Sequence, residues 1–210
     1  MTSSGLADDI AYTANNISNT TFKNDKKIVF APKTIDGVNG ESFYMCTALK
    51  YVSDITLTNA NDSSYFQMFY GDTNLQSVGN INRVATNTVN ANSMFNSCGY
   101  LKSVGTIDME NITQAENMFA TCSKLTTIGG FTNATSLTTT NRMFFNTSLS
   151  QASADIISRD LDTSNVTDFQ YMFNVSSTSP DVDHMFTTAP TLDMSSATNV
   201  DRMFNAYGKS

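Results

Sequence analysis

Apolar residues fall along this chain in a recurring order, anchored by Met-Phe pairs at Met68-Phe69, Met94-Phe95, Met118-Phe119, Met143-Phe144, Met172-Phe173 and Met203-Phe204. Apolar or small residues stand six and three positions ahead of the Met. Ile112 and Ala115 precede Met118, Val166 and Phe169 precede Met172, and Ala197 and Val200 precede Met203, with Leu137 and Thr140 a looser copy before Met143. Positions i, i+3, i+6 and i+7 share one side of a helix of about two turns, so the spacing predicts a short helix whose four marked residues face a core. Behind the pair come Leu75, Leu101 or Leu125, then Val78, Val104 or Ile128, then Gly79, Gly105 or Gly129, and then Ile81, Ile107 or Phe131. This stretch predicts a short strand that bends at the glycine, where a side chain would obstruct the neighbouring strand.

The first three intervals between Met residues are 26, 24 and 25 residues. A period in that range is used by leucine-rich-repeat coils, in which no coil buries its own face and stability comes from stacking on the next. The predicted fold is an α/β repeat, a leucine-rich-repeat-like solenoid of short parallel strands and short helices with about 25 residues per coil. It occupies residues 42–210, with the Met and Phe of the six pairs as its repeat core. Phe43, Met45 and Leu49 form a degenerate first copy, Ser150 to Asp160 replaces the usual strand, and His184-Met185-Phe186, between Pro180 and Pro190, marks a shortened or distorted coil. Residues 1–41 lack the motif and read either as a cap on the first coil or as an anchoring arm. Within them Leu6 to Ile17 suggests a helix opened by Ser3 or Ser4, and Lys27 to Ala31 an edge strand before Pro32.

Leu161-Asp-Thr-Ser-Asn-Val-Thr-Asp-Phe-Gln-Tyr-Met-Phe173 and Leu192-Asp-Met-Ser-Ser-Ala-Thr-Asn-Val-Asp-Arg-Met-Phe204 closely resemble the repeat of the BspA-like, or DUF285, leucine-rich-repeat proteins of bacterial surfaces. Ile107-Asp108-Met109 through Phe119 is a divergent copy. Met94 to Leu101 and Met118 to Leu125 match the segment in which Met-Phe is followed by a small residue, Cys and Leu. The resemblance spans residues 42 to 204 and implies an irregular leucine-rich-repeat solenoid with roles in adhesion and protein binding.

Composition narrows the chemistry. Charged residues make up 15%, below the usual quarter, and Asn, Thr and Ser fill the difference. A polar, weakly charged coat fits work outside a cytoplasm or inside a larger assembly, and nucleotide bias would produce the same composition. A net charge of −7 with 12 Lys and Arg offers no basic stripe, so nucleic acid is not an expected partner. Residues 1 to 25 hold no apolar run behind basic residues, and no apolar stretch approaches membrane-spanning length, so neither a standard secretory signal nor membrane insertion is expected.

Few residues suggest catalysis. The one histidine, His184, would have to serve any Ser-His or Cys-His pair. Asp181, Asp183 and Asp193 lack the spacing of a calcium loop, and the three cysteines form no CxxC pair. No metal or cofactor is expected. Cys98 and Cys122 hold equivalent positions in adjacent repeats, read as buried reduced thiols or as a disulfide between neighbouring coils. Asp108, Asp162 and Asp193 recur after the strand and are expected to accept backbone N–H groups in a turn, the alternative being a ladder of ligand-binding carboxylates. Tyr65, Tyr70, Tyr100 and Tyr171 are candidate surface contacts, because tyrosine combines apolar area with a hydroxyl.

The sequence therefore predicts a non-enzymatic repeat protein exposed on a virion, as a phage tail or capsid component, or on a cell surface, where it attaches to a protein or glycan within an oligomeric assembly. The alternatives are a purely architectural subunit and an enzyme acting on surface glycans, for which no carboxylate pair suggests itself.

Overall fold

A computed structural model of the chain describes residues 28–30, 33–35, 43–57, 65–84, 89–176 and 186–205. The expected helix from Leu6 to Ile17, Asp181, Asp183, His184 and Met185 lie outside them.

The described residues form an open sheet of parallel strands with one short helix. Five pairs or single strands lie side by side: β1 (Ile28–Phe30) with β2 (Lys33–Ile35), β3 (Leu49–Val52) with β4 (Ile55–Leu57), β5 (Ser77–Val78) with β6 (Ile81–Arg83), then β8 (Ser103–Asp108) and β10 (Thr127–Thr132). β1, β3, β5 and β8 pair in parallel along one track and β2, β4, β6 and β8 along the other, while β10 pairs with the whole of β8. β1 occupies a sheet edge within the segment predicted as an edge strand. A second ladder joins β7 (Val89–Asn90) to β9 (Ile112–Gln114) and continues as single bridges through Thr139, Asp168 and Asn199.

The glycine column marks where adjacent strands approach most closely. A Cβ at Gly79 would lie 2.4 Å from Asp54 Oδ1, one at Gly105 2.7 Å from the Gly79 carbonyl carbon, and one at Gly129 2.8 Å from that of Gly105. Beside this column Asp54 Oδ1 accepts from Asn80 N–H at 2.7 Å, and Asn80 Oδ1 accepts from Thr106 N–H at 2.8 Å. Polar side chains thus satisfy backbone donors where the strand bends out of its regular pairing.

The predicted helix before each Met-Phe is replaced by turns. The residue ahead of the Met is left-handed in each case: Gln67, Ser93, Asn117, Arg142, Tyr171 and Arg202 have φ between 49° and 58°. A left-handed residue breaks an α-helix, and the gain that offsets its cost lies in the next repeat. There the backbone N–H of Phe43, Phe69, Phe95, Phe119, Phe144 and Phe173 donates to the carbonyl of Met68, Met94, Met118, Met143, Met172 and Met203 at 2.8–2.9 Å. An isolated two-turn helix would satisfy those groups within itself, so periodicity alone pointed to the wrong element.

The turns stack the phenylalanines into a column. Phe43, Phe69, Phe95, Phe119, Phe144, Phe173 and Phe204 lie 4.9–5.5 Å apart between successive ring centroids, with planes within 10° of parallel. Met68, Met94, Met118, Met143, Met172 and Met203 are buried beside them, as are all of these rings except the last. Phe204 is 47% exposed and Val200 is exposed as well, which corrects their assignment to the core. Both belong to the last Met-Phe repeat of the described residues, and no described repeat stacks on its outer side. Met45 is also outward-facing; in the first copy it takes the left-handed position that Gly71, Ser97, Thr121 and Asn146 hold in later repeats.

Ser150 to Asp160 holds the helix of the described residues, α1 (Gln151–Asp160). It lies where the next strand would pair with β10, and its side chains replace that strand's backbone: Ser153 Oγ accepts from Ile128 N–H at 3.0 Å and donates to Thr126 O at 2.9 Å, while Asp160 Oδ2 accepts from Phe131 N–H at 2.9 Å. Ser150 caps the helix by accepting from Ser153 N–H. The sheet ends here, while the Met-Phe turns continue through Met172 and Met203.

Candidate functional site

The left-handed residue before each Met directs its side chain outward, because the Met and Phe that follow point inward. In the last three repeats this column reads Arg142, Tyr171, Arg202. The Arg142 guanidinium carbon lies 4.8 Å from the Tyr171 ring centroid and that of Arg202 5.7 Å, with Arg202 Nη1 donating to Tyr171 Oη at 3.1 Å. Phe145 packs edge-on against the same ring at 6.4 Å. Both arginines are exposed and Tyr171 is half-buried. Their backbones are tied from repeat to repeat, Arg142 N–H to Gln170 O and Tyr171 N–H to Asp201 O, so the cluster sits on a rigid base.

A polar row runs beside it. Asn141 Nδ2 donates to Asp168 Oδ2 at 2.9 Å and to Gln170 Oε1 at 3.2 Å, and Gln170 Nε2 donates to Asp201 Oδ2 at 3.4 Å. Next to that, the hydroxyls of Thr138, Thr167 and Thr198 donate to the carbonyls of Thr113, Thr138 and Thr167. The surface thus combines guanidinium donors, aromatic area and amide and carboxylate acceptors, groups that suit recognition through multiple contacts.

The four tyrosines proposed from sequence are not brought together. Tyr100 is 61% exposed and stands apart in the turn before β8. Tyr70 is half-buried and stacks on Tyr44 at 5.2 Å. Tyr65 is corrected: it is fully buried, with the Arg83 guanidinium 5.5 Å from its ring and its hydroxyl donating to Asp108 O at 3.1 Å. Burial, partly opposed by Arg83, pushes its phenol well above the ordinary range. The signal was present, since Tyr65 lies three residues before Met68, in the inward column that Ala91, Ala115, Thr140 and Phe169 occupy in later repeats. Arg142, Arg202, Phe145 and Tyr44 were missed; comparing the residue on either side of Met-Phe across repeats would have aligned them.

The recurring aspartates close turns. Asp108, Asp162 and Asp193 accept from Glu110, Ser164 and Ser195 N–H at 3.1, 3.0 and 2.9 Å. Bonds from the Ser164 hydroxyl and backbone hold the Asp162 carboxyl below its usual range, and Ser195 does the same for Asp193. Cys46, Cys98 and Cys122 are buried and form no disulfide, and Cys98 Sγ and Cys122 Sγ donate to Phe69 O and Phe95 O. Among the described residues no group of three His, Cys, Asp or Glu side chains is arranged to hold a metal, and no helix is long and apolar enough to cross a membrane.

These features define a repeat protein built on parallel strands and stacked Met-Phe turns. The family described as "Mycoplasma protein of unknown function, DUF285" matches residues 41–157 and 133–209, and the chain belongs to that family. No curated protein and no solved structure matches it.

Proposed function

We propose that the chain is a BspA-like leucine-rich-repeat solenoid, with residues 1–41 as its cap or anchoring arm and 42–210 as its repeats. It is displayed on a virion or cell surface as part of an assembly, and attaches to a protein or glycan without catalysis or cofactor. The observation that supports this reading best is the Arg142–Tyr171–Arg202 row, an outward cluster of side chains favoured at recognition surfaces and fixed to a hydrogen-bonded backbone.

The test is binding of the purified full chain to intact cells and to a glycan array, alongside mass spectrometry of particle and surface fractions. Wild type is expected to bind, and the chain to be found in one of those fractions. Replacing Arg142, Tyr171 and Arg202 together by Ala is expected to weaken binding by tenfold or more with the melting temperature retained. Absence of binding together with absence from both fractions ends this reading. A second, architectural reading is favoured by the exposed ring of Phe204 in the last repeat, a surface suited to burial in an assembly. If assembly fails without residues 1–41 while binding survives, the architectural role stands.

A further inference from the structure

Three residues after Phe43, Phe69, Phe95, Phe119 and Phe144, a small polar side chain points into the interior: Cys46, Asp72, Cys98, Cys122 and Thr147, all buried. Three of these side chains donate to a phenylalanine carbonyl, and Cys46 Sγ donates to Tyr44 O at 3.9 Å. Cys98 Sγ donates to Phe69 O at 2.9 Å, Cys122 Sγ to Phe95 O at 2.9 Å, and Thr147 Oγ1 to Phe144 O at 2.9 Å. Thiols and hydroxyls are neutral and carry a hydrogen. Asp72 is the one member of the column that has neither property when ionised.

We propose that Asp72 occupies this column as a neutral carboxylic acid, so that the fold takes up a proton here on folding and the repeats around it loosen as pH rises. Asp72 Oδ1 accepts from Cys46 N–H at 2.6 Å, while Oδ2 is buried without a hydrogen-bond partner. Among the described residues, the titratable group that acts on it is the Cys98 thiol of the following repeat, with Cys122 beside Cys98. The ion pairs of Arg159 with Asp160 and of Arg202 with Asp201 lie elsewhere. A carboxylate in this position would be a desolvated charge with one hydrogen bond and no cation, an arrangement that proteins avoid by neutralising the group. A proton on Oδ2 removes the charge and restores the donor that the column otherwise provides. Burial first, then the neighbouring Cys98, push the carboxyl well above its ordinary value of 3.8, against the smaller opposing effect of the Cys46 N–H bond.

The direction with pH follows. A group whose pKa is raised by folding contributes fully below its unfolded value and loses that contribution as pH rises through the folded one. Asp72 therefore destabilises the protein progressively above pH 3.8, with the unfolding constant rising by up to about tenfold per pH unit until the folded pKa is passed.

The experiment is denaturant unfolding of the full chain from pH 4 to 8 for wild type, Asp72→Asn and Asp72→Cys, with carbon-13 NMR of the Asp72 carboxyl in the wild type. Asp72→Cys installs the residue the column uses in three other repeats. Expected are a protonated Asp72 carboxyl at pH 7, and a wild type that loses stability relative to both variants as pH rises. An ionised Asp72 at pH 7, or wild type and variants with superimposable pH profiles, overturns the proposal. Should Asp72→Asn fail to fold, Asp72→Cys and the wild-type NMR decide the matter.

Discussion

Phe69, Phe95, Phe119, Phe144 and Phe173 each meet another ring on both faces, so removing one leaves a gap bounded by two rigid neighbours. Phe119 stacks on Phe95 and Phe144 and is touched edge-on by Phe131. Phe119→Ala is expected to cost about 3–5 kcal/mol, read as a lower denaturant midpoint. Met118→Asp, which places a charge beside the same stack, should destabilise further or prevent folding. Tyr100→Ala should stay within about 0.5 kcal/mol of wild type, because the ring is exposed. Glycines divide the same way. Gly105→Ala places a methyl 2.7 Å from the Gly79 carbonyl carbon and should cost about 1–3 kcal/mol, whereas Gly99→Ala meets nothing within 4 Å and should be tolerated.

At the scale of elements, α1 ends the sheet by side-chain mimicry. A strand edge with free N–H and C=O groups is a template for pairing with another chain, and Ser153 and Asp160 occupy those groups on β10. Ser153→Ala should leave the buried Ile128 amide without its acceptor, at a cost of about 1–3 kcal/mol, and speed hydrogen exchange at Ile128. Asp160 contributes in the opposite pH sense to Asp72. Burial pushes its carboxyl up, but the bonds from Arg159 and Phe131 N–H outweigh that and hold it below 3.8. Its stabilisation is therefore present above pH 3.8 and is lost as pH falls through the folded value; Asp162 and Asp193 follow the same sign. Acid unfolding below that point should be blunted in Asp160→Asn, which begins less stable at neutral pH.

At the scale of the whole molecule, the two ends of the sheet are finished differently. α1 covers β10, while β1 and β2, from the segment ahead of the repeats, pair with β3 and β4. Deleting residues 1–41 removes both strands and uncovers β3 and β4, so the truncated chain is expected to self-associate with rising concentration in light-scattering chromatography. A truncated chain that stays monomeric would show that those edges are protected in another way. The outward Arg142–Tyr171–Arg202 row lies in the later repeats, away from this end, and the binding proposed for it should survive the deletion.

The sequence by itself determined the period, the residues that recur in the interior and the place where the strand pattern fails, because each depends on local spacing of apolar residues and glycine. The turn role of Asp108, Asp162 and Asp193 was legible for the same reason, since an aspartate bonds to an N–H two residues away. Only the tertiary structure decided that the segments before Met-Phe are left-handed turns rather than helices, that Ser150 to Asp160 is helical, that Tyr65 is buried and Phe204 exposed, and that Arg142, Tyr171 and Arg202 form one cluster. Most of these turn on hydrogen bonds and contacts between residues some 25 to 30 positions apart, where a group's partner belongs to the neighbouring repeat and the local pattern of its own repeat is silent.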